Sequence, residues 1–148
     1  MKSLSFVLRS PLLVLLLLFT ACNNVEPEVI SNGIISLQLW SDWKYKSYQG
    51  IDSIEGVFKD ENEEINFSYG FFGSNDLSSI VPTPETLYYE ETMIDGRQAK
   101  ITKTDIGGVI YLFLNVSDNI GDDRVQLSVL DPDNDQKFIT IFKSLLFL

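Results

Sequence analysis

The stretch ETMIDGRQAKITKTDIGGVIYLFLNV, residues 91–116, decides the fold class, because it places two turn signals between apolar-patterned segments. Asp95-Gly96 is the strongest hairpin signal in the chain, since Asp and Gly tolerate the positive φ values of a tight two-residue turn. Gly107-Gly108 marks the next turn. The stretch therefore predicts an antiparallel meander of three strands, the last of them central: Thr86–Ile94, Arg97–Thr104 and Val109–Val116.

Towards the N-terminus, short apolar blocks continue this pattern. Residues 65–71 alternate, with Ile65, Phe67 and Tyr69 on one face and polar or small residues on the other, which is typical of a half-buried strand. The polar run KDENEE, residues 59–64, predicts the hairpin loop before it. Two further strands are predicted at Ile34–Leu39 and Ser53–Lys59.

Towards the C-terminus, one more strand is predicted at Arg124–Leu130, and then the period changes. Phe138, Ile141, Phe142 and Leu145 recur at helical spacing, which indicates an amphipathic helix. The fold class predicted is therefore α+β. It consists of a single antiparallel β-sheet of about seven strands with a C-terminal amphipathic helix packed on it, and a helical turn near residues 77–80.

The first residues have the layout of a secretory signal peptide. Its parts are basic Lys2 and Arg9, the apolar run LLVLLLLF at 12–19, and small Thr20 and Ala21. The apolar run is shorter than the ~20 residues that a membrane-spanning helix needs. We therefore expect a signal peptide over residues 1–21, a tether over 22–33 and one domain over 34–148.

Cys22 follows the small residues directly and is the only cysteine of the chain. A lone cysteine in an exported protein cannot form an internal disulfide. Phe19-Thr20-Ala21-Cys22 resembles the lipobox of bacterial lipoproteins. The resemblance implies cleavage before Cys22, lipidation of Cys22 (a diacylglyceryl group with a further palmitate-type chain) and anchoring in a membrane of the cell envelope. The alternative is an ordinary signal peptide with an incidental cysteine.

A second resemblance covers residues 34–148. Its short motifs, in order, are Trp43 after a first strand, Gly50-Ile51-Asp52-Ser53, Phe67-Ser68-Tyr69-Gly70, Ile94-Asp95-Gly96 and a closing helix ending Phe142-Lys143-Ser144-Leu145. This order resembles exported bacterial proteins with the PsbP-like fold, an antiparallel sheet flanked by helices. Members of that group often have a proline before the tryptophan and an acidic residue before the Tyr-Gly pair. This chain has Ser41-Asp42 and Ser68 at those positions instead. The resemblance implies an accessory or binding role and assigns no functional residue.

The charge of the chain limits its partners. It has 11 basic and 21 acidic residues and a net charge of −10 at pH 7. Such a charge repels the phosphates of nucleic acids, which excludes nucleic acid as a partner. Cationic ligands and basic proteins remain, and solubility alone is the simpler explanation of the charge.

The residues that most enzymes use are missing. The chain has no histidine, the commonest general base and a usual zinc ligand, and Cys22 is assigned to the lipid. Glu90 and Glu91 are an adjacent acidic pair, but neighbouring residues of a strand point to opposite faces of the sheet. We therefore expect a protein that is not an enzyme and that needs no cofactor.

Two groups of residues are candidate binding sites. Trp40, Trp43 and Tyr48 form an aromatic cluster near a strand end, where exposed rings would stack on a sugar or a partner and buried rings would only pack the core. Asp131, Asp133 and Asp135 have the spacing that opens a calcium loop, although the rest of that loop pattern is missing. A helix start is the main interpretation of the three aspartates, and a weak metal site is the alternative.

The functional hypothesis from these observations is a lipid-anchored, non-enzymatic envelope lipoprotein, an accessory or protein-binding module with an envelope protein as partner. The alternative is a lipoprotein that binds a small ligand, a sugar or a cation, through the aromatic cluster or the acidic loops. An enzyme is the least favoured class.

Overall fold

A computed structural model describes residues 26–40, 42–50, 52–70, 77–117 and 123–148. Of these residues, 60% are in strands and 11% are helical. The strands are β1 Glu28–Ser31, β2 Ile35–Leu39, β3 Lys44–Gln49, β4 Ser53–Lys59, β5 Glu64–Gly70, β6 Thr86–Ile94, β7 Arg97–Ile106, β8 Val109–Ser117, β9 Arg124–Leu130 and β10 Leu146–Phe147. Helix α1 spans Asp135–Lys143, and a short 3-10 helix spans Leu77–Ser79. No helix in this part of the chain is both long and apolar enough to cross a membrane.

Seven strands form one antiparallel sheet in the order β3-β4-β5-β9-β8-β7-β6. The β6–β7 hairpin turns at Asp95 and Gly96, with φ values of 48° and 73°, as the dipeptide predicts. The β4–β5 hairpin turns within the predicted polar loop, where Asp60 Oδ1 accepts hydrogen bonds of 2.7 Å from the backbone N–H groups of Asn62 and Glu63.

Strand alternation gives this sheet two different faces. On one face, which we call the covered face, buried apolar side chains from neighbouring strands form the core with residues of β2 and α1. Those of the central strands are Ile65, Phe67, Val125, Leu127, Val129, Leu112, Leu114 and Val116. The side chains between them point to the opposite face, which we call the open face.

The covered face is closed by a second, three-stranded sheet and by α1. The second sheet has the order β1-β2-β10, and Ile35, Leu37 and Leu39 of its central strand are fully buried. Strand β10 is held to the β6–β7 turn, because Phe147 N donates to Asp95 Oδ2 at 3.0 Å and Arg97 lies 3.6 Å over the Phe147 ring.

Helix α1 begins where the sequence predicts. Asn134 is the N-cap, and its Oδ1 accepts a hydrogen bond of 3.1 Å from Lys137 N. The helix buries Phe138, Ile141 and Phe142, as the helical spacing predicts.

The prediction of an α+β fold, a single antiparallel sheet of about seven strands with a C-terminal amphipathic helix packed on it, is wrong. The described residues form ten strands in two antiparallel sheets, and α1 has only nine residues. The PsbP-like arrangement of one sheet flanked by helices is corrected in the same way, because a second sheet occupies part of the covered face.

Three of the ten strands have no clear signal in the sequence. Strand β3, KYKSYQ, has only tyrosines among its polar residues, and β10 has two residues. Strand β1 lies inside the predicted tether 22–33 and is mostly exposed. Apolar periodicity reveals strands that bury a whole face, and none of these three does.

Candidate functional site

A tight turn after β2 places Trp40 and Trp43 in different environments. Trp43 N donates to Trp40 O at 3.1 Å, which closes the turn. Trp43 is only 2% exposed and belongs to the core, whereas Trp40 is partly buried and packs at the edge of that core. Of the two predicted ligand-binding tryptophans, only Trp40 therefore offers much of its ring to a ligand.

Lys137 of α1 lies over Trp40. Its Nζ is 4.7 Å from the centre of the indole ring, a cation–π distance, and it also pairs with the Glu63 carboxylate. The β4–β5 turn positions Glu63 through the hydrogen bonds that Asp60 accepts. The ammonium group of Lys137 therefore already occupies the position at which a cation contacts both the Glu63 carboxylate and the Trp40 ring.

An acidic cleft surrounds this ion pair. It has a volume of about 610 Å³, and a smaller recess of about 190 Å³ adjoins it through shared residues. The carboxylates that line the cleft and its recess are Asp42, Asp60, Glu63, Glu64, Asp131 and Asp133. Lys137 is the one basic side chain in the lining of either cavity. The cleft therefore carries a strong excess of negative charge beside an aromatic ring, a combination that attracts cations.

A groove lies on the other side of Trp40 and Lys137. It has a volume of about 450 Å³ and runs between α1 and the segment that leads into β1. The residues lining it are Pro27, Gln38, Trp40, Asn134, Gln136, Lys137, Thr140, Ile141 and Ser144. Since Pro27 lines this groove, the N-terminal segment of the described chain passes close to the acidic cleft.

Tyr48 does not belong to this site. It is 46% exposed on edge strand β3 and lines a separate cavity of about 340 Å³ on the open face, which we call the sheet-face pocket. The structure therefore brings Trp40 and Trp43 to one cleft and places Tyr48 in another.

Of the three aspartates of the candidate metal site, Asp131 and Asp133 line the same recess and Asp135 does not. Asp131 Oδ1 accepts a hydrogen bond from Ile110 N at 3.0 Å, and Asp135 Oδ2 pairs with Lys103 Nζ at 2.6 Å. Asp133 faces the acidic cleft and its recess. Among the described residues, no group of three or more His, Cys, Asp or Glu side chains is arranged to hold a metal ion.

Glu90 and Glu91 point to opposite faces of β6, as strand geometry predicts. On the covered face, Lys143 Nζ donates to Glu90 at 2.8 Å and Tyr88 Oη at 2.5 Å. The hydrogen bond from Lys143 and then that from Tyr88 lower the pKa of Glu90, and the bond to Glu90 raises the pKa of Tyr88 to about 12.

The open face repeats this arrangement. Tyr89 Oη donates to Glu91 at 2.5 Å, and Lys100 Nζ lies 3.3 Å from the same carboxylate. The hydrogen bond from Tyr89 and then that from Lys100 lower the pKa of Glu91. Each glutamate thus has its own lysine and tyrosine, and the two carboxylates do not face each other.

Sequence reasoning missed the role of Lys137 and of the carboxylates around it. The residues of the Glu63–Lys137 pair are 74 positions apart, so no local motif joins them. The one available signal was the position of Lys137 in the first turn of the predicted helix, directly before Phe138. Cys22, the predicted lipidation site, lies outside the described residues.

Comparisons with known proteins concern the fold alone. No family model matches the chain, and no curated protein matches it. A crystal structure of a protein from Bacteroides thetaiotaomicron VPI-5482 is similar in fold, with a TM-score of 0.50 and 13% identity. The similarity covers 84% of this chain and 49% of that protein, so this chain spans about half of that protein's length.

Proposed function

We propose that this chain is a lipid-anchored, non-enzymatic accessory protein of the bacterial cell envelope, and that its acidic cleft binds a basic segment of a partner protein. The observation that carries the proposal is the composition of the cleft, which has four acidic residues, the Trp40 indole and a single lysine in its lining, with two further acidic residues in the adjoining recess. Charge complementarity of this kind guides partners to each other and selects among them.

The contacts of Lys137 support a basic ligand. Its ammonium group contacts Glu63 and the Trp40 ring, which are the two kinds of group that a lysine or arginine of a partner would use. Asp42 and Asp133 are exposed, and within the described part of the chain neither forms an ion pair. These two carboxylates remain available for a partner's cations.

The tether supports a partner close to the membrane. Pro27 lines the groove beside the acidic cleft and lies only five positions after Cys22. A fully extended chain of that length reaches at most ~18 Å. A lipid on Cys22 therefore keeps the cleft within reach of envelope proteins that project from the same membrane.

Lipidation is tested first and separately. Cys22→Ala is expected to abolish palmitate labelling and to release the protein from membranes, because its acyl chains supply the anchor. A Cys22→Ala protein that still takes label and still sediments with membranes contradicts the lipobox interpretation.

The cleft is tested with hexalysine as the basic probe and hexaglutamate as its acidic counterpart, added to the full chain in detergent. Asp42→Asn/Asp133→Asn is expected to weaken hexalysine binding about tenfold or more, whereas Asp52→Asn/Glu85→Gln removes the same charge from exposed positions outside the cleft. Binding is expected to fall as salt rises, because exposed charges are screened. Equal losses in both double variants contradict a specific site.

In intact cells, the same variants distinguish proteins that cross-link through the cleft from proteins that cross-link elsewhere. An envelope protein that is recovered with the parent chain and with Asp52→Asn/Glu85→Gln, but is lost with Asp42→Asn/Asp133→Asn, supports the accessory role. A partner whose recovery is the same from all three chains contradicts docking at the cleft.

A small organic cation is the second candidate ligand. The position of the Lys137 ammonium group, 4.7 Å from the Trp40 ring, favours it, since a free amine would find the same contacts. Spermidine is the probe for this candidate. Binding of spermidine that depends on Asp42 and Asp133, without binding of hexalysine, would replace the partner protein by a small ligand.

A further inference from the structure

The sheet-face pocket is a second candidate site, and it shares no lining residue with the acidic cleft. It lies on the open face, where the exposed side chains of β3, β4, β5 and β9 meet. The side chains that line it are polar: Tyr48, Glu55, Asn66, Ser68, Gln126 and Ser128. Gly56 and Phe67 complete the lining, but the Phe67 ring itself is buried on the covered face. Four rigid strands position them, so the pocket is part of the sheet rather than of a loop.

The register of the sheet arranges these side chains in rows. Tyr48 pairs with Glu55, Glu55 with Ser68, and Ser68 with Gln126, which gives one polar row across four strands. Gln126 Nε2 donates to Asn115 Oδ1 at 3.0 Å on β8, where Asn115 is buried, so the exposed part of the row ends at Gln126. Directly opposite side chains on one face lie about 5 Å apart, which makes the row a continuous line of polar groups.

The adjacent row adds groups that are free to bind a ligand. Asn66 pairs with Ser128 in that row. Within the described part of the chain, the side chains of Asn66, Ser68 and Ser128 form no hydrogen bond. Amides and hydroxyls both donate and accept, so the groups that complement them best are those that do the same, as sugar hydroxyls do.

Aromatic rings stand at both ends of these rows. Tyr48 is exposed on β3, with Lys46 Nζ 5.2 Å from its ring. On β8, Phe113 pairs with Ser128 and stacks on Tyr111 at a ring separation of 5.6 Å. Strands β3 and β8 are separated by four inter-strand spacings, about 19 Å in all. A ligand that reaches from one end to the other is several sugar rings long.

The charge of the pocket and of the chain restricts the class of sugar that can bind. Glu55 is the one charged side chain in the lining of the sheet-face pocket, and the chain as a whole has a net charge of −10. Both repel anionic sugars. We propose that the sheet-face pocket binds a neutral oligosaccharide that lies across the strands, with hydroxyls bonded to Asn66, Ser68 and Ser128 and one ring stacked on Tyr48. This site does not depend on the acidic cleft or on its partner.

The test uses calorimetric titration of the full chain in detergent. The probes are four neutral hexasaccharides, namely maltohexaose, cellohexaose, xylohexaose and mannohexaose, with hexagalacturonic acid as the anionic counterpart. At least one neutral probe is expected to bind. Tyr48→Ala and Asn66→Ala are each expected to weaken that binding about tenfold, since each removes a stacking or hydrogen-bonding contact. Tyr88→Ala makes the same change on the opposite edge strand and is expected to leave binding unchanged.

Several results would overturn the proposal. These are no binding of any neutral hexasaccharide, tighter binding of the anionic one, or binding that Tyr48→Ala and Tyr88→Ala weaken equally. Binding that is lost in Trp40→Ala and kept in Tyr48→Ala would assign the sugar to the acidic cleft instead. Because the variants of the acidic cleft leave the sheet-face pocket intact, failure of one site is distinguishable from failure of the other.

Discussion

The two faces of the seven-stranded sheet are built from the same strands and differ in almost everything else. On β5, Ile65 and Phe67 are buried on the covered face, while Asn66 between them is exposed on the open face. Strand β9 repeats this alternation with buried Val125, Leu127 and Val129. The covered face therefore holds most of the core, although Val57 is also buried on the open face. Exposed positions of the open face, such as Asn66, are free to carry recognition, because substitutions there remove little buried apolar area.

The largest predicted effect is the difference in stability loss between substitutions at two adjacent residues of β5 that point to opposite faces. Phe67→Ala removes a ring that is 2% exposed and is expected to lower the free energy of unfolding by about 3–5 kcal/mol. Asn66→Ala, one residue earlier, is expected to change it by less than about 0.5 kcal/mol. Urea unfolding followed by tryptophan fluorescence measures both, and losses of similar size would contradict the division between the faces.

The next effect concerns how tightly the covered face is packed. A Cβ on Gly56 would lie 2.6 Å from Cε2 of the Tyr45 ring, so Gly56→Ala is expected to destabilise the protein by about 1–3 kcal/mol. The penalty should largely disappear in a Tyr45→Leu background, because the ring that it meets is gone. Two additive substitutions in a double-mutant cycle would show that the contact is not the cause.

A smaller effect is expected at the helix that closes the covered face. Asn134→Ala removes the acceptor for Lys137 N and is expected to lower the free energy of unfolding by about 1 kcal/mol. Asn134→Asp retains a capping oxygen and is expected to be close to neutral. Thermal unfolding of the two variants compares them, and an aspartate as damaging as the alanine would contradict the capping role.

The smallest predicted effect is a difference in the pH dependence of stability between Glu90, on the covered face of β6, and Glu91, on its open face. The lowered pKa of Glu90 means that its contribution to stability is present above the usual value of about 4.5 and is lost as the pH falls through the folded-state value. The destabilisation caused by Glu90→Gln should therefore shrink as the pH falls from about 6 to about 3. Glu91→Gln should behave in the same direction and more weakly, because the Glu91 side chain is 64% exposed against 26% for Glu90.

Unfolding curves across this pH range decide the point. An effect of Glu91→Gln as large as that of Glu90→Gln would mean that the lower exposure of Glu90 on the covered face does not increase its contribution to stability. Glu61→Gln, which removes the same charge from the exposed β4–β5 hairpin turn, serves as the control for the loss of a carboxylate.

The sequence was informative where one residue type determines the local geometry. Asp95-Gly96 predicts its hairpin because few other pairs tolerate those φ values, and the alternation of Ile65 and Phe67 predicts a half-buried strand. It was uninformative where the signal depends on a distant partner. Lys137 lies over Trp40 and beside Glu63 only after the whole sheet has formed, and no spacing in the chain indicates it.

The grouping of Trp40, Trp43 and Tyr48 failed for a related reason. The three residues are close in sequence, but β3 intervenes, and its side chains alternate between faces. Tyr45 packs against Phe58 at a ring separation of 4.8 Å in the core, so Tyr48, three residues later, points to the open face. Without a recognised β3, that separation could not be predicted.

The second sheet determines the order in which the domain can be completed. Strand β2 pairs with β10, and Gln38 N bonds to Ser144 Oγ across 106 residues of chain. Pairings between such distant segments form late and slowly, because a long loop must close first. A chain that crosses a membrane from its N-terminal side cannot close this sheet during transit. If the chain is exported as proposed, closure of the second sheet therefore waits until β10 has emerged and can pair with β2.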